Sequence, residues 1–181
     1  MFLYLKKPRS TVSNPRYPLR FNVGFIVSQE VGYSHQFDFD FQKLQVADDL
    51  ELRDFKGIVH VGRTPQGLYL QGRFEGRLTV ECVRCLSDFE QTVHFEIEEL
   101  YAFSRRSVAD SGLILPEDAN LNLSPLVRDY ALLEIPINPI CKPDCKGLCP
   151  QCGQNLNEAD CGHSDRQDDS PFAVLKDLLD S

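Results

Sequence analysis

Aromatic and acidic residues alternate through HQFDFDFQKLQV at 35–46, placing Phe37, Phe39 and Phe41 on one face and Asp38 and Asp40 on the other. A period of two marks a half-buried β-strand, because successive side chains leave opposite faces of the pleat. The stretch FKGIVHVGRTPQGLYLQGRFEGRLTVEC at 55–82 reads as two further strands joined by the turn Arg63-Thr64-Pro65-Gln66-Gly67. Another strand lies in FEQTVHFEIEELYAF at 89–103, with Val93, Phe95 and Ile97 facing one way. Connections this short cannot cross over a sheet, so the strands are expected to run as an antiparallel meander or partial barrel.

Beyond the strands the period changes. Residues 102–120 are polar and irregular, as a surface loop would be. In LSPLVRDYALLEIP the residues Leu126, Val127, Tyr130 and Leu133 recur at helical spacing. Ser124 is expected to cap that helix, Pro125 suits its first position, and Pro136 ends it. A cysteine-rich stretch occupies 141–163, the polar SDRQDDS follows, and SPFAVLKDLLDS predicts a short closing helix with Phe172, Val174, Leu175 and Leu178 on its apolar side. No internal repeat is evident. The pattern predicts an α+β protein, mainly antiparallel β, with short helices and a C-terminal Cys-rich, zinc-binding lobe. Its expected domains are 1–120, β-rich with a basic N-terminal arm and a CxxC turn, and 121–181, with the helix, the metal-binding lobe and the closing helix.

Charge narrows the partners. Residues 1–20 hold Lys6, Lys7, Arg9, Arg16 and Arg20 and no acid, so the chain's net −8 leaves −13 on residues 21–181. An acidic body argues against a protein that coats phosphate backbone. The basic arm can touch RNA, or can equally be a solvated edge strand. No apolar run has membrane-spanning length, and MFLYLKK carries its charges on the wrong side for a signal peptide. A cytoplasmic protein is expected, and a reducing compartment favours metal ligation over disulfides for its seven cysteines.

The cysteines carry the chemistry. Cys149-Pro-Gln-Cys152-Gly153 has the form of a zinc knuckle, in which one tight turn aims two sulfurs at one ion and glycine tolerates a positive φ. A tetrahedral ion needs two more ligands, and Cys145 and Cys161 are the natural pair, with Cys141 and His163 as alternates. The expected metal set is therefore Cys145, Cys149, Cys152 and Cys161 around a structural zinc, with Lys142 and Lys146 offsetting the thiolate charge. Cys82-Val83-Arg84-Cys85 forms a second CxxC at a turn between strands. It serves as a second site, as half of a split site with Cys149 and Cys152, or as a plain turn with two small thiols.

Two other readings use the same residues. A thiol-redox pair would place its cysteine at a helix N-terminus, and the strand-turn-strand context of Cys82 and Cys85 does not. An iron–sulfur protein also takes four thiolates. The radical-SAM spacing of Cys145, Cys149 and Cys152 lacks the long α/β barrel that chemistry sits on. His35, His60 and His94 lie on or beside strands as packed or surface residues. Arg73, Arg77 and Arg84 form a basic patch or pair with Glu75, Glu81 and Glu90. No phosphate-binding glycine loop, catalytic triad or small-molecule site is visible.

Three blocks taken together resemble the YceD family of large ribosomal RNA subunit accumulation proteins: LTVECVRCLSDFEQTVHFEIEELY at 78–101, LLEIPINPICKPDCKGLCPQCGQNLN at 132–157 and PFAVLKDLL at 171–179. The resemblance implies a non-enzymatic factor for large ribosomal subunit biogenesis, supporting synthesis, processing or stability of 23S ribosomal RNA. Its implied partners are large-subunit ribosomal proteins or the ribosomal RNA precursor, met directly or indirectly. It also favours a self-contained site at 145–161, and places His163 where many relatives have a further cysteine.

Overall fold

A computed structural model describes residues 17–107 and 112–163. The basic arm up to Arg16 and the closing helix expected near 171–179 lie outside the described residues. Among the described residues are six strands and two helices: β1 (Arg20–Asn22), α1 (Gly24–Val27), β2 (Ser34–Ala47), β3 (Leu50–Arg63), β4 (Gly67–Glu81), β5 (Asp88–Ala102), β6 (Asn120–Asn122) and α2 (Ser124–Leu133). A 3-10 turn spans Arg105–Ser107. Strands β2-β3-β4-β5 form one open four-stranded sheet in chain order, and β1 pairs with β6 in a separate ribbon. The meander is the expected one; the sheet does not close into a barrel. Among the described residues no helix is long and apolar enough to cross a membrane.

The alternation read from the sequence sets the register. Phe37, Phe39, Val59, Val61, Leu70, Phe74, Val93, Phe95 and Ile97 are all buried on one face. Their neighbours fall into polar rows on the other, with Asp40 opposite Lys56 and Lys56 opposite Glu75. Phe41 is only partly buried at the margin of that core. Phe74 lies stacked between Phe55 and Phe95, with ring centroids 5.5 and 5.3 Å away. Two glycines make room for it, since a Cβ on Gly57 or Gly72 would come within 2.3 or 2.5 Å of the Phe74 ring. The β3–β4 turn is held by the Thr64 hydroxyl, which donates to the Gly67 carbonyl at 2.8 Å and accepts from the Gly67 N–H.

Helix α2 departs from expectation at its cap and at Leu133. Leu123 stands at its N-cap and Ser124 makes no side-chain cap; Asn122 Oδ1 instead accepts the Ser124 N–H at 3.1 Å. Val127 and Ala131 are the buried residues of the helix, while Leu133 is 79% exposed. Leu126 and Tyr130 are partly buried against the same core, so of the expected apolar positions Leu133 departs. Arg128 projects from α2 and ion-pairs with Asp49 in the β2–β3 turn.

The described residues separate into two compact units. One takes 17–80 and 90–137, hence the sheet together with α2. The other takes Glu81–Phe89 and residues 138–163. The expected boundary falls between 120 and 121; the structure groups α2 with the strands, because its buried face joins the sheet's core. The CxxC hairpin tip goes with the Cys-rich segment.

Candidate metal centres

The tip between β4 and β5 is built by its own backbone. Cys82 N–H donates to the Ser87 carbonyl at 3.0 Å, and Leu86 N–H donates back to Cys82 O at 2.9 Å. Closing that turn requires a left-handed residue four places after the first cysteine, and Leu86 takes φ 57° there. The stretch at 149–154 repeats the construction. Cys149 N–H donates to Gln154 O at 2.8 Å, Gly153 N–H donates to Cys149 O at 2.9 Å, and Gly153 has φ 73°. The two CxxC turns are thus the same knuckle twice. A leucine in place of glycine at 86 hides the repeat from the sequence.

The first knuckle acquires partners from the chain between the two knuckles, and the second from the chain that follows it. Cys82, Cys85, Cys141 and Cys145 converge, and so do Cys149, Cys152, Cys161 and His163, with ligand atoms inside each group all within 4.8 Å of one another. In the first group Cys82 Sγ is 3.9 Å from Cys145 Sγ, and Cys85 Sγ is 3.7 Å from Cys141 Sγ. In the second, Cys149 Sγ is 3.9 Å from His163 Nδ1. These separations are far beyond a disulfide's ~2.05 Å. They match the edge of a tetrahedron around one ion, about 3.8 Å between sulfurs at a Zn–S distance of ~2.3 Å. Each donor set therefore fits one tetrahedral metal ion of its own.

The pieces lock together through short main-chain links. Leu148 N–H donates to Arg84 O at 3.1 Å, and Leu156 N–H donates to Gly147 O at 2.9 Å. Gly147 has φ 77° and lies so close to the first knuckle that a Cβ on it would stand 3.1 Å from Arg84 O. Arg84 also turns its guanidinium onto the Cys145 carbonyl at 3.0 Å. Arg73 pairs with Glu96, and Arg77 with Glu90 and Asp54.

Backbone amides tune the thiols. Burial pushes the Cys82 thiol up, but hydrogen bonds from the main chain at Cys141, Cys85 and Arg84 outweigh it and bring the pKa down to about 6. For Cys149, backbone hydrogen bonds at Cys152 and Gln151 outweigh burial and likewise lower the pKa to about 6. Cys145 is also lowered: burial opposes ionisation, but the Asn157 amide and the Gly147 N–H favour the thiolate. Cys141 goes the other way, to about 12, through burial and the sulfurs of Cys145, Cys85 and Cys82 around it. Cys161 is raised by the Cys149 sulfur and burial, against a favourable backbone bond at His163. Crowded thiols without a cation cannot all ionise, and a bound cation reverses that conflict.

The expected set of Cys145, Cys149, Cys152 and Cys161 is divided by the structure, with Cys145 facing Cys82 and the other three facing His163. Cys82 and Cys85 form no split site with Cys149 and Cys152. The alternates Cys141 and His163 each complete a group. Cys145 and the Cys149–Cys152 pair do not converge, so the radical-SAM spacing has no structural counterpart. The low Cys82 pKa is what a redox cysteine needs, but this thiol is fully buried and faces three other sulfurs.

Sequence comparisons add the family. The sequence model described as "Large ribosomal RNA subunit accumulation protein YceD" matches residues 70–179, more than half of the chain. The chain belongs to the YceD family. An uncharacterized protein of Mycobacterium tuberculosis is 33% identical over 137 residues, covering 72% of this chain and 61% of the relative. The chain thus spans about three fifths of the length of such curated relatives. An uncharacterized Bacillus subtilis protein, YlbN, is 28% identical over 106 residues, covering 58% of this chain and 62% of its own. The Arabidopsis thaliana protein named "Large ribosomal RNA subunit accumulation protein YCED homolog 1, chloroplastic" is 38% identical over 63 residues, 35% of this chain and 20% of its own. No solved structure matches. The YceD match takes in both knuckles and all eight converging ligands.

Proposed function

We propose that this protein is a non-enzymatic cytoplasmic factor for large ribosomal subunit biogenesis, supporting synthesis, processing or stability of 23S ribosomal RNA. Membership of the YceD family carries the reading, together with the names of its plant relatives in Arabidopsis thaliana and Zea mays. Structural zinc in the Cys-rich lobe shapes a binding surface and takes no part in chemistry. The donor sets support that role: four protein ligands converge in each group, and a tetrahedral ion so held has no open position for substrate. An acidic body suits basic large-subunit ribosomal proteins as direct partners, and the ribosomal RNA precursor is then met through them.

Depleting the protein should lower 23S ribosomal RNA relative to 16S, read from total RNA during rapid growth. An unchanged ratio overturns the role. Capture of the tagged chain from cells in mild salt should enrich large-subunit ribosomal proteins, and the recovery should survive RNase. Loss on RNase treatment moves the contact to RNA.

A further inference from the structure

We propose that the lobe formed by Glu81–Phe89 and residues 138–163 binds two zinc ions at separate sites that share no ligand. The first is a four-thiolate site of Cys82, Cys85, Cys141 and Cys145. The second joins three thiolates, Cys149, Cys152 and Cys161, to the His163 imidazole. This assignment stands apart from the role in ribosome biogenesis, because it rests on the lobe's geometry alone.

Ligand arithmetic is the first argument. Each group supplies four soft or borderline donors, the full complement of a structural zinc. A single site built from Cys145, Cys149, Cys152 and Cys161 would have to draw the Cys145 sulfur away from Cys82, 3.9 Å off, and from the Asn157 amide that donates to it at 3.4 Å. It would strand Cys82, Cys85 and Cys141 as three sulfurs facing one another, with two of them buried. Two ions leave no ligand over.

Construction is the second argument. Each group contains one complete knuckle, with its N–H···O closure and left-handed fifth residue, and each takes its other two ligands from a neighbouring loop. Gly147 and Leu148 carry the chain from Cys145 of the first group to Cys149 of the second, and the Gly147 φ of 77° makes that reversal within four residues. Compactness is the third argument. Sulfurs 3.7 and 3.9 Å apart enclose one ion, whereas a polynuclear iron–sulfur cluster places several atoms between its cysteines.

The sites differ in protection. Cys82, Cys85 and Cys145 are buried, whereas Cys152 and His163 are exposed. The four-thiolate ion is therefore the slower to exchange. Its net −2 charge is spread by the Asn157 amide, the backbone N–H groups and the nearby Arg84 guanidinium.

The full chain, produced with zinc under reducing conditions, should show two zinc ions by native mass spectrometry and elemental analysis. Exchanged with cadmium, it should give two 113Cd resonances, one in the four-sulfur range and one upfield of it. Cys161→Ala/His163→Ala should keep one ion and the four-sulfur resonance; Cys85→Ala/Cys141→Ala should keep one ion and the other resonance. His163→Cys, which keeps four ligands at the second site, serves as the conservative variant: it should retain two ions and bring the second resonance into the four-sulfur range. One ion per chain, a single cadmium resonance, or acid-labile sulfide with iron overturns the assignment. So does a His163→Cys spectrum in which neither resonance moves. A normal 23S to 16S ratio on depletion would sink the ribosomal role and leave the two-ion assignment standing.

Discussion

The sheet unit and the Cys-rich lobe solve the same problem with different materials. In the first, twenty-five of the described residues form one buried apolar cluster, with the Phe55–Phe74–Phe95 stack inside it. Among the described residues of the second, the buried cluster is Cys82, Cys85 and Cys145, with Phe89, Cys141 and Leu148 packed on it. Burial of apolar area stabilises roughly in proportion to the area removed from water, and a cluster of three cysteines removes little. Among its described residues the lobe therefore leans on ligation for its order, and the sheet does not.

Metal removal is the sharpest way to break that comparison. Treating the reduced chain with a strong chelator should abolish amide-exchange protection in 81–89 and 138–163, while β2, β3 and the central residues of β4 and β5 keep theirs. Uniform loss across both regions would mean that the sheet also depends on the ion. Unchanged protection would mean that the lobe does not.

The converse is a core truncation. Phe74→Ala removes the ring stacked at 5.5 Å on Phe55 and 5.3 Å on Phe95, and should cost about 3–5 kcal/mol in denaturant melts. Metal stoichiometry should be unchanged while the sheet is folded. A cost below about 1 kcal/mol would show that the neighbouring rings collapse into the space.

How much of this could be read from the chain differs between the regions for the same reason. Sheet order is written locally: Phe37 and Phe39 alternate with Asp38 and Asp40, and the structure buries the first pair. Turn chemistry at Thr64–Gly67 was equally plain. Three-residue β1 and β6 escaped notice because neither is long enough to show a period, and their pairing joins residues about a hundred positions apart. The lobe's knuckles were legible as CxxC pairs, but not their partners. Cys82 meets Cys145 across 63 positions, and seven cysteines offer many groupings of equal local merit. Only the folded backbone chooses among them. The positive φ at Leu86 was invisible for a related reason, since leucine carries no turn signal and the geometry is imposed by the hairpin.

Glycine substitutions sharpen the comparison inside the sheet. A Cβ on Gly67 would lie 2.2 Å from the Tyr101 carbonyl oxygen, whereas one on Gly57 would lie 2.3 Å from the Phe74 ring. Backbone cannot step aside, but a ring can turn or be removed. Both Gly67→Ala and Gly57→Ala should destabilise by about 1–3 kcal/mol, with Gly67→Ala the larger. Adding Phe74→Ala should relieve much of the Gly57→Ala penalty and none of the Gly67→Ala penalty, a non-additivity that a double-mutant cycle measures directly. Equal coupling at both positions would contradict the packing described.

The smallest expected effect lies at the surface, where Arg128 of α2 holds Asp49 with Nε donating at 2.9 Å to Oδ1. Hydrogen bonding to the guanidinium keeps the Asp49 carboxyl below its usual range, against a smaller opposing effect of burial. A carboxylate with a depressed folded-state pKa adds stability above its unfolded pKa of about 3.9, and loses it as pH falls through the folded value. Asp49→Asn should therefore melt slightly below the wild type at pH 7, and the gap should narrow as pH falls below about 3.9 towards the folded value. Salt should narrow it as well, because both side chains are open to solvent, at 36% and 54% exposure. A gap that persists undiminished in acid would mean that Asp49 acts through the geometry of the β2–β3 turn and not through its charge.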